Sequence, residues 1–177
     1  MREDLRRSAL AFGVAALDTY LHWEIRKVAF TTPLPKKLAE LSVNFGDLLA
    51  MGDASVEARN NQVKDRPRTR ARNVLNEQLL TMTFQSARQV ESALAMLGVQ
   101  KPWSKLSAVI TPSASVQDLQ SRLNALSHRR NKIVHEGDLM REARPQKIKR
   151  EVVTPQTVAE DLDWIESFIA ALATVLT

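Results

Sequence analysis

Cysteine is absent from the 177-residue chain. No disulfide framework, thiolate nucleophile or cysteine-ligated zinc can therefore be built, and the compartment to expect is a reducing, cytoplasmic one. Glycine is scarce, at five residues, and none of it forms the phosphate-cradling loop of a nucleotide enzyme. Long hydrophobic runs are missing too. Residues 9–17 and 168–175 are the longest, and Thr174 interrupts the second; each is about half of the roughly 20 residues that a membrane helix requires. No membrane partner is expected. Glu3 and Asp4 sit among the opening arginines, and no small-residue cleavage site follows an apolar run. The N-terminus thus reads as the first turn of a helix and not as a signal peptide. The chain also lacks a His-Glu-x-x-His zinc helix, an aspartate-rich calcium loop and a serine in a nucleophile elbow, which removes support for most enzyme classes.

What is present is a globular balance, 44% hydrophobic and 25% charged, at a length that suits one domain spanning residues 1–177. Periodicity is helical nearly throughout, with no convincing alternation of period two. Five helices are expected in an all-α bundle. The first, over about residues 3–30, carries two apolar stripes, Leu5, Ala9, Phe12, Ala16 and Trp23 on one side and Leu10, Val14, Leu17, Leu21 and Val28 on another. Such a helix meets neighbours on two sides, within the fold or across a dimer interface. Asp18, His22 and Arg26 fall on its remaining polar face. Thr31, Thr32, Pro33 and Pro35 break the chain, and a second helix follows through Leu38, Leu41, Phe45 and Leu48, with Gly52 as its stop. A third runs from Pro67 through Leu75, Leu79, Met82, Val90 and Leu94 towards Gly98. After a proline-bearing connector with at most one short turn, a fourth starts near Ser115 and stops at Gly137. Thr154 caps the last helix, with Pro155 at its first position, a favourable start.

Charge is concentrated. Residues 59–72 hold Arg59, Lys64, Arg66, Arg68, Arg70 and Arg72 against the single acid Asp65. A segment of this kind is either a solvated loop or an electrostatic track for RNA phosphates. It has no interleaved aromatic side chain on which bases could stack. The second concentration is the end of the fourth helix, residues 126–137, where His128 and His135 stand one above the other and Asn131 lies one turn before His135. Arg130 falls on the apolar line of Val116, Leu119, Leu123 and Leu126. A guanidinium placed there needs a partner, such as Glu136 or Asp161, or a water-filled cleft, because an unpaired buried charge is costly.

The spacing Arg130-Asn131-x-x-x-His135 resembles the motif of the HEPN superfamily, in which an arginine, a following polar residue and a histidine end one helix of a compact bundle. The opening helix, through Asp18, Tyr20 and His22, is similar to the first helix of the RiboL-PSP-HEPN branch. The resemblance implies a homodimer whose facing motifs form a composite cleft, and in many members an endoribonuclease that uses neither metal nor cofactor. Arg130, Asn131 and His135 would be its catalytic residues. Arg66, Arg68, Arg70, Arg72, Arg129 and Lys132 are the expected nucleic-acid contacts. Partners would be RNA, a second copy, and an antitoxin or other defence protein. One departure stands out: Gly137 occupies the place where some toxin members carry a tyrosine that a partner nucleotidyltransferase modifies, and the only tyrosine is Tyr20. Two other readings stay open, a non-catalytic module that binds RNA or nucleotide, and a helical scaffold in which His128, His135 and His22 are ordinary helix residues.

Overall fold

A computed structural model of the chain describes residues 1–28, 33–60, 67–140 and 149–177. Phe30, Thr31 and Thr32, the basic stretch with Lys64, Asp65 and Arg66, and the polar excursion 141–148 lie outside the described residues. Apart from one isolated antiparallel bridge, Leu139 with Arg150, the regular structure of the described residues is helical. In chain order the helices are α1 (Arg2–Arg26), α2 (Lys36–Ala39), α3 (Phe45–Arg59), α4 (Pro67–Leu80), α5 (Ala87–Met96), α6 (Pro102–Val109), α7 (Val116–Glu136) and α8 (Pro155–Leu176). No helix among them is long and apolar enough to cross a membrane.

Eight described helices replace the five expected, because two expected helices are each divided and the connector is itself helical. The second divides at residues 40–44. Asn44 then caps α3 by accepting the amide of Asp47, and Gly52 lies inside α3 instead of ending it. The third expected helix ends at Leu80 and restarts at Ala87. The Asp18 carboxylate on α1 accepts the amide of Phe84 and the Gln85 side chain, so tertiary bonds draw residues 81–86 out of helical register. Ser86 and Gln89 then open α5 with a capping box, and Asn124 of α7 accepts the amide of Ala87. The connector holds α6, with Pro102 in its first turn.

The core is built around α1. Leu10, Val14, Leu17, Leu21 and Ile25 are buried along one line and face α7, α8, α4 and α5. A Cβ on Gly13 would come within 2.6 Å of a Leu162 methyl, which shows how closely α8 approaches. The other stripe of α1 does not enter the core: Phe12 is 74% exposed and Leu5 65%. At its far end α1 clasps α4. His22 bonds the Leu79 carbonyl through Nε2 at 2.9 Å, and Arg72 donates to the Arg26 carbonyl. The Leu79 carbonyl also accepts the Met82 amide at 3.0 Å, so His22 is its second partner.

The opposite end is held by an ion network around Asp138, a fully buried carboxylate. Its Oδ2 accepts from Arg7 Nε and Arg129 Nη2, both at 2.9 Å. Arg7 also donates to the Glu151 carbonyl at 2.8 Å, while the Glu151 carboxylate meets Lys132 at 3.1 Å. Removing Asp138 takes from Arg7, whose side chain is 6% exposed, its closest carboxylate and leaves it only Glu3 and Asp4 at 3.5 Å. Asp138→Ala should therefore lower unfolding stability by roughly 3–5 kcal/mol, read from urea denaturation; an unchanged midpoint would refute the assignment. Glu151 adds a pH dependence. The hydrogen bond from Lys132, then the Lys132 and Arg129 charges, holds its carboxyl below the usual glutamate value. A depressed folded-state value means that this contribution is complete above about pH 4.3 and disappears as pH falls through the depressed value. Glu151→Gln should make acid destabilisation shallower.

Candidate functional site

The C-terminal turns of α7 carry the motif. Ser115 caps the helix by accepting the Asp118 amide, and Leu119, Leu123 and Leu126 fix its inward face in the core. The far end is set by two left-handed residues, Gly137 at φ 60° and Asp138 at φ 61°. The Gly137 and Asp138 amides both reach back to the Lys132 carbonyl, the latter at 3.0 Å, which closes the helix end. A non-glycine residue seldom adopts this conformation; here the two arginines on its carboxylate hold it. The last turns of α7 are thus fixed to α1 and to the segment leading into α8.

Within that frame the cations divide into two groups. Arg129 is committed, with Nη2 on Asp138 and Nη1 at 3.8 Å from Glu151. Lys132 is committed to Glu151. Arg130 is not: among the described residues it makes no ion pair, its Nη1 donates to Asn131 Oδ1 at 3.1 Å, and its Nε is enclosed without an acceptor. Asp161, named above as one candidate partner, pairs with Arg122 instead at 3.5 Å. Asn131 and His135 are exposed. The hydrogen bond leans the Arg130 head group towards Asn131, which lies about 40° from His135 around the helix. His128 shares that outward face.

The other expected contacts are scattered. Arg68 is exposed and Arg70 half-buried, the latter with an enclosed Nε that has no acceptor. Arg72 is engaged on the Arg26 carbonyl. Arg66 lies outside the described residues. Among the described residues no group of three or more His, Cys, Asp or Glu side chains could hold a metal ion. His22 has a backbone carbonyl within hydrogen-bond distance of each ring nitrogen, Asp18 at 2.8 Å and Leu79 at 2.9 Å, and reads as a structural side chain. Sequence reasoning missed Arg7 and Asp138. The available signal was Arg7 itself, which continues the buried line of Leu10, Val14 and Leu17 one turn back.

This division is testable without a substrate. His128→Ala and His135→Ala should each change stability by less than about 0.5 kcal/mol, as exposed uncommitted positions do. Arg129→Ala should lower it by about 1–3 kcal/mol, since Asp138 then loses a charged donor. Thermal or urea unfolding of the three variants checks the ordering. No family model, curated protein or solved structure matches the chain.

Proposed function

We propose that this protein is a HEPN-like endoribonuclease that acts as a homodimer, without a metal, in a toxin or defence setting. The observation that carries the reading is the selective commitment of charge at the end of α7. Arg129 and Lys132 are tied to carboxylates, whereas Arg130, hydrogen-bonded to Asn131, and the exposed His135 keep their chemistry free. Those three residues are the ones that the motif resemblance singles out.

The reaction follows from the side chains. A neutral His135 takes the proton of a ribose 2′-OH, whose oxygen attacks the adjacent phosphorus; the bond to the 5′ oxygen breaks, that oxygen takes a proton from water, and His135 returns its own to solvent. Arg130 neutralises the charge that grows on the non-bridging phosphate oxygens. Asn131 orients the guanidinium. Around an ideal helix Arg130 and His135 diverge by about 140°, so we place the Arg130 of one protomer opposite the His135 of the other. The outward stripe of Leu5, Phe12 and Ala16 on α1 supports association, since exposed apolar surface of this kind marks interaction sites.

Purified protein should cut RNA in the presence of chelator and leave 2′,3′-cyclic phosphate and 5′-OH ends, while DNA and RNA carrying 2′-O-methyl at the cut site resist. Arg130→Ala and His135→Ala should each lower turnover by roughly 10²–10⁴-fold with helical content unchanged by circular dichroism. Failure to cut any RNA with magnesium or with chelator would leave a module that binds RNA without cutting it. A His135→Ala protein as fast as the parent would remove the catalytic assignment.

A further inference from the structure

The basic stretch of the sequence carries no aromatic of its own, yet the fold brings one to it. The hydrogen bond from Arg72 to the Arg26 carbonyl joins residues 46 positions apart and sets the arginine-rich first half of α4 beside the last turn of α1. That turn holds Trp23, which is 59% exposed. Trp23 and Arg26 line a cavity of about 380 Å³, together with Thr19, Thr83, Leu80 and Asp18, within the range that small ligands occupy.

The charges of this cavity favour an anion. Arg26 has an enclosed Nε without an acceptor, and among the described residues no acceptor or carboxylate meets its guanidinium. Asp18 is the one acid of the lining, and it is occupied: it accepts the Phe84 amide and the Gln85 side chain and faces His22 Nδ1 at 3.5 Å. Lys27 stands 5.7 Å from the centre of the Trp23 ring, paired with Glu24 at 2.8 Å. Along α4, Arg68 is exposed and Arg70 half-buried, on different faces of the helix. An exposed indole, an uncommitted guanidinium and hydroxyls at the rim are elements from which single-strand readers are made.

We infer that this cavity is a nucleotide-binding subsite for single-stranded RNA, in which one base stacks on Trp23 and its phosphate meets Arg26. The inference rests on RNA being the substrate and adds a binding site on a different helix from the cleavage residues. Duplex RNA does not qualify, because its bases are already stacked and offer no free face. Base identity should matter little, since every base has a face to stack and the cavity offers few groups to read an edge.

The experiment measures affinity for a labelled single-stranded oligoribonucleotide by fluorescence anisotropy, in the His135→Ala protein so that cleavage does not interfere. Adding Trp23→Ala should weaken binding roughly 5- to 150-fold, and Trp23→Phe should restore most of it, because a phenyl ring still stacks. Arg26→Gln should weaken binding and lower the slope of log affinity against log salt by about one. Binding of a duplex should be indifferent to Trp23→Ala. If the parent binds single strands but neither Trp23→Ala nor Arg26→Gln alters affinity in a folded protein, the subsite is wrong and the nuclease reading stands. If Trp23→Ala weakens duplex and single strand alike, the effect is not stacking and the inference fails. A parent that binds no RNA overturns both.

Discussion

One buried carboxylate holds one end of this bundle together. Asp138 is fully enclosed, sits in a left-handed conformation, and receives two guanidinium groups on a single oxygen, from Arg7 at the start of α1 and Arg129 near the end of α7. Three chain segments remote in sequence meet there: the first helix, the last turn of the motif helix, and the run through Glu151 into α8. A buried carboxylate is stable only with such partners, and an arginine as enclosed as Arg7 is stable only with such a carboxylate. The contact therefore fixes the direction in which α7 ends. The side chains of its last turns point where they do because this junction is rigid.

The same junction accounts for the division of labour among neighbouring cations. Asp138 and Glu151 draw Arg129 and Lys132 into structural pairs, one to either side of Arg130 and Asn131. Arg130, on the inward line of α7 but past the last core leucine, is left with an amide for a partner. An amide neutralises no charge, so the guanidinium keeps its full attraction for a phosphate. His135, one turn beyond Asn131, is exposed at the end of the helix. The cleavage proposed above needs a general base and an uncommitted cation, the roles we propose for His135 and for Arg130 of the opposite protomer.

Most local signals could be read correctly, although Gly52, read as a stop, lies inside α3. The Ser115 cap, the Gly137 stop, the Thr154 cap and Pro155 start all stand in the structure as expected, because each depends on residues within four positions of the helix end. Long-range bonds escaped. The break between α4 and α5 comes from Asp18, 66 residues before the amide of Phe84 that it accepts. The Arg7–Asp138 pair spans 131 positions, and periodicity marks only one of its members. The apolar stripe of α1 was legible as a stripe, but that Leu5 and Phe12 stay outside the core depended on where α7 and α8 packed. Arg129 and Arg130 are adjacent and chemically identical, so only the positions of the acids separate the structural cation from the free one.

The central claim is that one cleft takes its arginine from one chain and its histidine from the other, and subunit mixing tests it most directly. Arg130→Ala and His135→Ala proteins, each inactive alone, are allowed to exchange subunits and then assayed together. In a mixed dimer one cleft has lost both groups while the other retains Arg130 from one chain and His135 from its partner. Random exchange should then restore about one quarter of the parental activity, since half the dimers are mixed and each has one intact cleft. A mixture that stays as inactive as its components, after exchange has been verified, would contradict the composite cleft.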